Sequence, residues 1–210
     1  MSVYSLSSLQ NKQNYQLLLN QTYKEYQSFF KITPKRKPCL FFLKSRQEFD
    51  DICGEKTQSW VTGFHTQNFI FLMDEDVYET ESSKKFNPEY YPLTLKHELS
   101  HYFYLNLAST SKPVWLNEGL AIYLSKQYQF KTPITKFKNF LKFVSTNAIR
   151  EETVYPESGF VVKKLIDKFG SDKILELIKN VKHAKNLQDF ETIFHKIYGF
   201  DLNYVNINNL

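Results

Sequence analysis

The spacing of hydrophobic and polar positions changes along the first third of the chain, and it predicts a helix followed by a strand. Apolar residues recur close to every 3.6 positions over residues 9–31, which is typical of an amphipathic α-helix. Thr33 and Pro34 end this helix, because the residue before a proline disfavours the helical conformation. Residues 38–44 form a short apolar run of the length expected for a strand.

The next segments predict a short helix and two further strands. Ser45 and Glu48 have the spacing of a capping box, and Gly54 lies where the helix they begin would end. Residues 59–65 and 68–73 predict two strands that are joined by a tight turn. The second of these strands is apolar on both faces, so we expect it at the centre of the sheet.

From residue 92 onward the pattern predicts helices. We expect them at 92–109, 113–129, 134–147, 157–169, 171–182 and 187–198. Gly170 and Gly199 lie where helix ends favour glycine. A few strands followed by a run of helices is typical of an α+β fold.

Composition narrows the class of protein. With 17% aromatic residues but only six Gly and seven Pro among 210 residues, the chain is neither disordered nor collagen-like. No apolar run approaches the roughly 20 residues that span a bilayer, so we expect no membrane span. Cys39 and Cys53 are too few for a disulfide framework. These two cysteines could still form one disulfide bond, so the sequence does not decide between an oxidising and a reducing compartment.

The net charge and the amino-terminal sequence say little about partners and localisation. The net charge of +5 is mild, and the excess of Lys and Arg over residues 131–185 comes with no nucleic-acid-binding motif. We expect no nucleic-acid partner, and we interpret this stretch and the acidic residues 74–81 as solvated. The start of the chain lacks the features of a signal peptide. This favours a cytoplasmic protein, and a secreted one stays possible if a leader has been removed.

Residues 97–101, which read His-Glu-Leu-Ser-His, are the most informative segment of the chain. His97 and His101 are one helical turn apart, about 6 Å, so both imidazoles can reach one metal ion. Glu98 is displaced about 100° around the helix, beside the ion, where a general base is needed. A solvent-facing pair of histidines is the alternative, but the surrounding helix is strongly apolar.

A catalytic zinc ion needs three protein ligands and one open position. Tyr104 and Leu107 stand where a metzincin-type continuation would place further motif residues. Glu118 is a better third ligand, because it follows His101 by 17 positions, enough for a second helix to return alongside. The alternative is that Glu118 is a first-turn acid favoured by the helix dipole.

Residues 97–101 and the segment 115–121, Trp-Leu-Asn-Glu-Gly-Leu-Ala, together resemble the gluzincin zinc metallopeptidases, in particular the small peptidase MA-like family. The resemblance implies a zincin-like fold in which a small twisted sheet lies over an active-site helix and the C-terminal half is mostly helical. It implies one compact catalytic domain over 1–210, with an upper part (1–109) and a lower part (110–210). It also implies a Zn²⁺ ion on His97, His101 and Glu118, with Glu98 as catalytic acid and base.

A gluzincin also needs a donor for the oxyanion that forms during hydrolysis. Tyr155, which we expect in a loop before the helix at 157, is our candidate, and the alternative is a packed loop aromatic. His65 could serve instead, although an ordinary strand-end histidine is the simpler interpretation.

Two positions depart from the family pattern. Ile122 stands where many gluzincins have an acid that orients a zinc-bound histidine, which leaves Asn117 or a backbone carbonyl for that role. Residues 63–68 lack the glutamate with which gluzincin aminopeptidases capture a free amine.

We therefore expect a zinc-dependent peptidase acting on peptide or protein substrates, an endopeptidase in preference to an aminopeptidase. The alternative is a non-catalytic zincin-fold binding protein or pseudoenzyme. We expect a monomer, whose cleft could be covered by its own tail (201–210) or by the acidic loop 74–81.

Overall fold

A computed structural model describes residues 12–141 and 154–210, in which a helix, a strand, a second helix and two further strands are followed by a run of helices. The strands are β1 (Cys39–Leu43), β2 (Gly63–Thr66) and β3 (Phe69–Met73). The helices are α1 (Gln13–Phe30), α2 (Arg46–Cys53), α3 (Tyr78–Glu81), α4 (Tyr91–Ala108), α5 (Val114–Leu124), α6 (Val154–Phe169), α7 (Ser171–Val181), α8 (Leu187–Tyr198) and α9 (Tyr204–Asn208). The predicted α+β class is confirmed.

The three strands form one sheet in the order β1-β3-β2. β1 runs parallel to β3, and β2 runs antiparallel to it with Gly63 opposite Leu72. The predicted central position of β3 is confirmed, and Ile70 and Leu72 on it are fully buried. β2 is shorter than predicted because residues 58–61 form a turn closed by the Val61 amide on the Gln58 carbonyl.

Helix α4 is the central element of the fold. It contacts α1, α5 and α7 as well as β2 and β3, so most of its circumference is covered. Of the apolar residues on α4 that the sequence pattern indicates, Leu95, Leu99 and Phe103 are fully buried, and Leu93 and Leu107 are partly buried. Any polar side chain on α4 is therefore held in an apolar environment, where it needs a partner.

Helices α5 and α6 approach each other closely at two glycines. A Cβ atom on Gly119 would lie 2.4 Å from the Ser158 carbonyl oxygen, and one on Gly159 would lie 2.4 Å from Ile122 Cγ2. Neither position has room for a larger side chain without a shift of the helices. This contact brings the second turn of α6 beside the second and third turns of α5.

Three predicted elements after α4 also differ in the structure. The helix predicted at 113–129 ends at Leu124, before a separate 3₁₀ turn. The predicted helix 134–147 is wrong where it is described, since residues 134–139 are irregular and 142–153 lie outside the described residues. The Glu157 carboxylate accepts hydrogen bonds from the backbone amides of Lys138, Asn139 and Phe140 at 2.7–3.0 Å, so it holds these residues in a loop. Residues 154–156, predicted as a loop, lie in the first turn of α6.

The acidic residues 74–81 are not uniformly solvated. The Asp74 side chain is fully buried and lies 3.3 Å from Lys12 Nζ and 3.0 Å from Lys44 Nζ. These contacts attach the end of β3 to the start of α1 and to the residue after β1.

The C-terminal tail is built into the core. Leu202 and Ile207 are buried, and the Asn208 carbonyl accepts a hydrogen bond from Lys164 on α6. Lys164 lies about 14 Å along α6 from Tyr155. These contacts tie the tail to the far part of α6.

Cys39 and Cys53 are both free thiols. Of the helices that the structure describes, none combines the length and the apolar character that crossing a membrane requires.

Candidate metal centre

Three predicted side chains converge between α4 and α5. His97 Nε2 and His101 Nε2 lie 3.0 Å apart. Glu118 faces both, with its Oε2 3.3 Å from His97 Nε2 and its Oε1 3.5 Å from His101 Nε2. Two helices therefore bring two nitrogen atoms and a carboxylate to one point.

These separations fit a metal ion. Zinc bonds of about 2.0–2.2 Å in a tetrahedron place neighbouring ligand atoms about 3.3–3.6 Å apart, close to the distances found here. One ligand atom from each residue lies within 4.8 Å of the others, so the group could hold a metal ion. Imidazole and carboxylate are also donors that zinc accepts.

The charges of the three residues favour a cation among them. Burial alone would lower the pKa of His101, but the Glu118 carboxylate outweighs it and raises that pKa to about 9. Burial raises the pKa of Glu118, and the two histidines more than reverse this, so its pKa is well below the usual range. The geometry that stabilises a proton on His101 also suits a metal cation.

Each histidine is oriented by a side-chain amide on its other ring nitrogen. His101 Nδ1 lies 2.8 Å from Asn117 Oδ1, and His97 Nδ1 lies 2.9 Å from Gln127 Oε1. An amide oxygen only accepts hydrogen bonds, so each Nδ1–H donates and each Nε2 lone pair faces the candidate centre. Both amide side chains are buried.

Asn117 was one of the two orienting groups expected from the sequence, but Gln127 was not among them. Gln127 begins a short 3₁₀ turn after α5, and it reaches His97 because Lys126 adopts a left-handed conformation with φ of 65°. No periodicity or motif around residue 127 indicates this return of the chain.

Glu98 is buried at the boundary between α4 and β2. Its side chain lies 3.1 Å from the position that a Cβ on Gly63 would occupy, and its Oε2 lies 3.6 Å from His65 Nδ1. Burial raises the pKa of Glu98, but His65, His97 and His101 together lower it below the ordinary value. The carboxylate is therefore ionised at neutral pH, as a general base must be.

His65 belongs to the same cluster. Its ring stacks on that of His101, with centroids 5.2 Å apart and planes inclined by 25°. The interpretation of His65 as an ordinary strand-end histidine misses its contacts with Glu98 and His101. The pairing of β2 with β3 creates this proximity, which the position of His65 in the sequence alone does not reveal.

Tyr155 lies near the same carboxylates. Its half-buried ring contacts the Trp60 ring with centroids 5.9 Å apart. Burial, followed by repulsion from Glu118 and Glu98, raises the pKa of Tyr155 far above its ordinary value. Its hydroxyl therefore stays protonated at neutral pH and can act as a hydrogen-bond donor.

The two remaining histidines lie on the surface, outside this cluster. His183 is exposed, and His195 Nδ1 lies 2.7 Å from Asp201 Oδ1 at an exposed position.

Comparison with known protein families identifies the family of the region that carries the candidate site. The family model described as the peptidase MA superfamily matches residues 87–209, which include α4, α5 and the start of α6. No curated protein and no solved structure matches the chain. Because the matched region covers more than half of its length, the chain belongs to the peptidase MA superfamily.

Proposed function

We propose that this protein is a zinc-dependent peptidase that hydrolyses peptide or protein substrates with a metal-activated water. His97, His101 and Glu118 would hold the zinc ion. The observation that carries the proposal is the convergence of their ligand groups: the two Nε2 atoms lie 3.0 Å apart, and the Glu118 carboxylate has one oxygen 3.3 Å from His97 Nε2 and the other 3.5 Å from His101 Nε2. Membership of the peptidase MA superfamily supports the choice of a peptide as substrate.

The proposed fold is zincin-like, with a small sheet beside the active-site helix α4. The whole of 1–210 would act as one catalytic domain. Its upper part (1–109) would supply His97 and His101, and its lower part (110–210) would supply Glu118. The packing of α4 against α5 would then join the two parts at the metal.

Glu98 is the proposed general base and acid. A zinc ion in this position would lower the pKa of a bound water toward ~7 and polarise the carbonyl of the substrate. The Glu98 carboxylate takes the proton of the attacking water and then gives it to the departing amine nitrogen. His65, at 3.6 Å, helps to keep this carboxylate ionised and in place.

Tyr155 is the proposed donor to the oxyanion. Its hydroxyl keeps its proton at neutral pH, and its electrostatic interaction with both Glu118 and Glu98 supports this role. A donor held there would stabilise the negative charge that develops on the carbonyl oxygen.

The edge of strand β2, which lies next to Glu98, favours an endopeptidase. Among the described residues β2 pairs only with β3, so its other edge can accept an extended peptide as a further strand. Residues 63–68 read Gly-Phe-His-Thr-Gln-Asn and offer no carboxylate to a free amino terminus. A peptide bound along β2 could therefore extend in both directions past Glu98.

Metal analysis followed by a peptide-library digest tests the proposal. We expect zinc in the purified protein, cleavage at internal bonds, loss of cleavage with a chelator and its return with added zinc. Zinc without cleavage of any library member would instead indicate a non-catalytic zincin-fold binding protein. Cleavage that persists without metal would contradict the proposed mechanism.

A further inference from the structure

The face of α4 that carries the two candidate metal-binding histidines continues toward the start of the helix with apolar side chains. Tyr90 and Leu93 precede His97 by seven and four residues, so at 3.6 residues per turn they lie within about 40° of it around the helix. Tyr90 immediately precedes α4 and has helical φ and ψ angles of −84° and −37°, so this spacing applies to it as well. The two side chains therefore form a stripe that extends about 10 Å along the helix from His97.

Phe130 joins this stripe from the segment after α5. The 3₁₀ turn Gln127–Phe130 begins with the residue whose side chain contacts His97 Nδ1 at 2.9 Å. Phe130 ends the same turn, about 6 Å further along it. Its ring meets that of Tyr90 edge to face, with centroids 5.5 Å apart and planes inclined by 85°. One end of the turn is thus held at His97 and the other at Tyr90, which aligns the turn with the stripe.

The surface formed by Tyr90, Leu93 and Phe130 is open to solvent. Phe130 is 45% exposed, and the other two side chains are partly exposed. Burial, followed by the neighbouring Tyr78, raises the pKa of Tyr90 to about 12, so its hydroxyl is uncharged at neutral pH. Single exposed apolar residues are common on proteins, but these three lie together beside a candidate reaction centre. Their surface suits an apolar group of a ligand.

The distance from the metal-binding residues indicates which part of a peptide would reach this surface. An extended peptide advances about 3.3 Å per residue. A substrate whose cleaved bond lies at the candidate centre would therefore place a side chain on the surface two or three residues from that bond.

We infer that Tyr90, Leu93 and Phe130 form a subsite for a large apolar side chain of the substrate, such as Phe or Leu, two or three residues from the bond that is cleaved. This inference rests on the proposed peptidase function and adds the class of peptide that it acts on. Phe130 is the principal specificity-determining residue, because it is the most exposed of the three. Burial of Phe in place of Ala should favour binding at least about tenfold.

Binding of three matched peptides to the Glu98→Gln variant tests the inference without turnover. The probes are acetylated peptide amides of the sequence Ala-Ser-Ala-X-Ala-Ser-Ala, in which X is Phe, Ala or Glu. Isothermal titration calorimetry measures their affinities. We expect the Phe peptide to bind at least about tenfold more tightly than either of the other two.

Changes in the Glu98→Gln background identify the surface that gives this preference. Phe130→Ala and Leu93→Ala should each reduce the preference for the Phe peptide at least about threefold, whereas Phe130→Leu, which keeps a large apolar side chain, should retain it. Leu187→Ala is the matched control, because it shortens a side chain of similar exposure, 42%, on α8. Equal binding of the three peptides, or the same preference in Phe130→Ala and Leu93→Ala as in Leu187→Ala, would overturn the inference.

Digestion of a peptide library by the protein with Glu98 intact separates this inference from the proposed function. We expect large apolar residues to be enriched at one position two or three residues from the cleaved bond, and Phe130→Ala to lose that enrichment. Cleavage without such an enrichment would overturn the subsite and leave the peptidase intact. A binding preference that depends on Phe130, with no cleavage of any peptide, would support an apolar peptide-binding surface and contradict the peptidase.

Discussion

Gln127 Oε1 lies 2.9 Å from His97 Nδ1, and this contact makes a 3₁₀ turn after α5 part of the candidate metal centre. Asn117 has the same relationship with His101 at 2.8 Å. Both partners are uncharged amides, whereas many gluzincins use an acid for this purpose. They fix the direction of each ring, but they add no negative charge around the metal.

Replacing Gln127 by Ala should weaken zinc binding. Loss of the amide leaves the partly buried His97 ring free to turn and its Nδ1–H without an acceptor, so affinity should fall about 10- to 100-fold. Competition with a fluorescent chelator measures the change. Gln129→Ala, at an exposed position two residues away, should have little effect. Equal affinities for the Gln127 variant and the unmodified protein would show that the contact does not support the centre.

Replacing Gly119 by Ala should destabilise the fold, because the new Cβ would meet the Ser158 carbonyl oxygen at 2.4 Å. Forcing α5 and α6 apart should lower the free energy of unfolding by about 1–3 kcal/mol, as measured by urea denaturation. The exposed Lys179→Ala change on α7 is the control and should stay within about 0.5 kcal/mol. An unaltered midpoint for Gly119→Ala would mean that the helices tolerate the extra methyl group.

The buried carboxylate of Asp74 should make stability fall in acid. Burial raises the pKa of Asp74, but the Asp76 amide, Lys44 and Lys12 bring it below the ordinary value. Its contribution is therefore complete above an unfolded-state pKa of about 3.9 and is lost as the pH falls through the lower folded value.

Asp74→Asn should lower the free energy of unfolding at pH 7 by about 1.5–3 kcal/mol. The difference from the unmodified protein should shrink as the pH falls below about 4. Denaturation at a series of pH values measures the loss of stability at pH 7 and its change with pH. Asp51→Asn, which changes an exposed acid on α2, is the control. A difference that stays constant down to pH 2 would contradict this account.

The elements that could be predicted from the sequence are those that depend on residues close together in the chain. The observed helix α4, Tyr91–Ala108, differs by one residue at each end from the prediction, and the spacing of His97 and His101 alone placed both rings on one face. The separation between His101 and Glu118 left room for a returning helix. The apolar faces of residues 69–73 correctly indicated a central strand.

Features set by distant contacts could not be predicted in this way. Glu157 holds residues 138–140 in a loop by binding three of their amides, although the sequence pattern there favours a helix. Gln127 reaches His97 through a left-handed residue, and His65 reaches Glu98 through strand pairing. In each case a residue far along the chain decides the local structure or contact.

The most direct test of the central claim is the Glu98→Gln variant, measured for zinc content and peptide hydrolysis in the same preparation. Glu98 is assigned to proton transfer and not to metal binding, so the variant should hold zinc as the unmodified protein does. Its hydrolysis should fall at least about 100-fold. Glu89→Gln, at an exposed position before α4, should change neither quantity. Full hydrolysis by the Glu98 variant, or no zinc in either protein, would contradict the account.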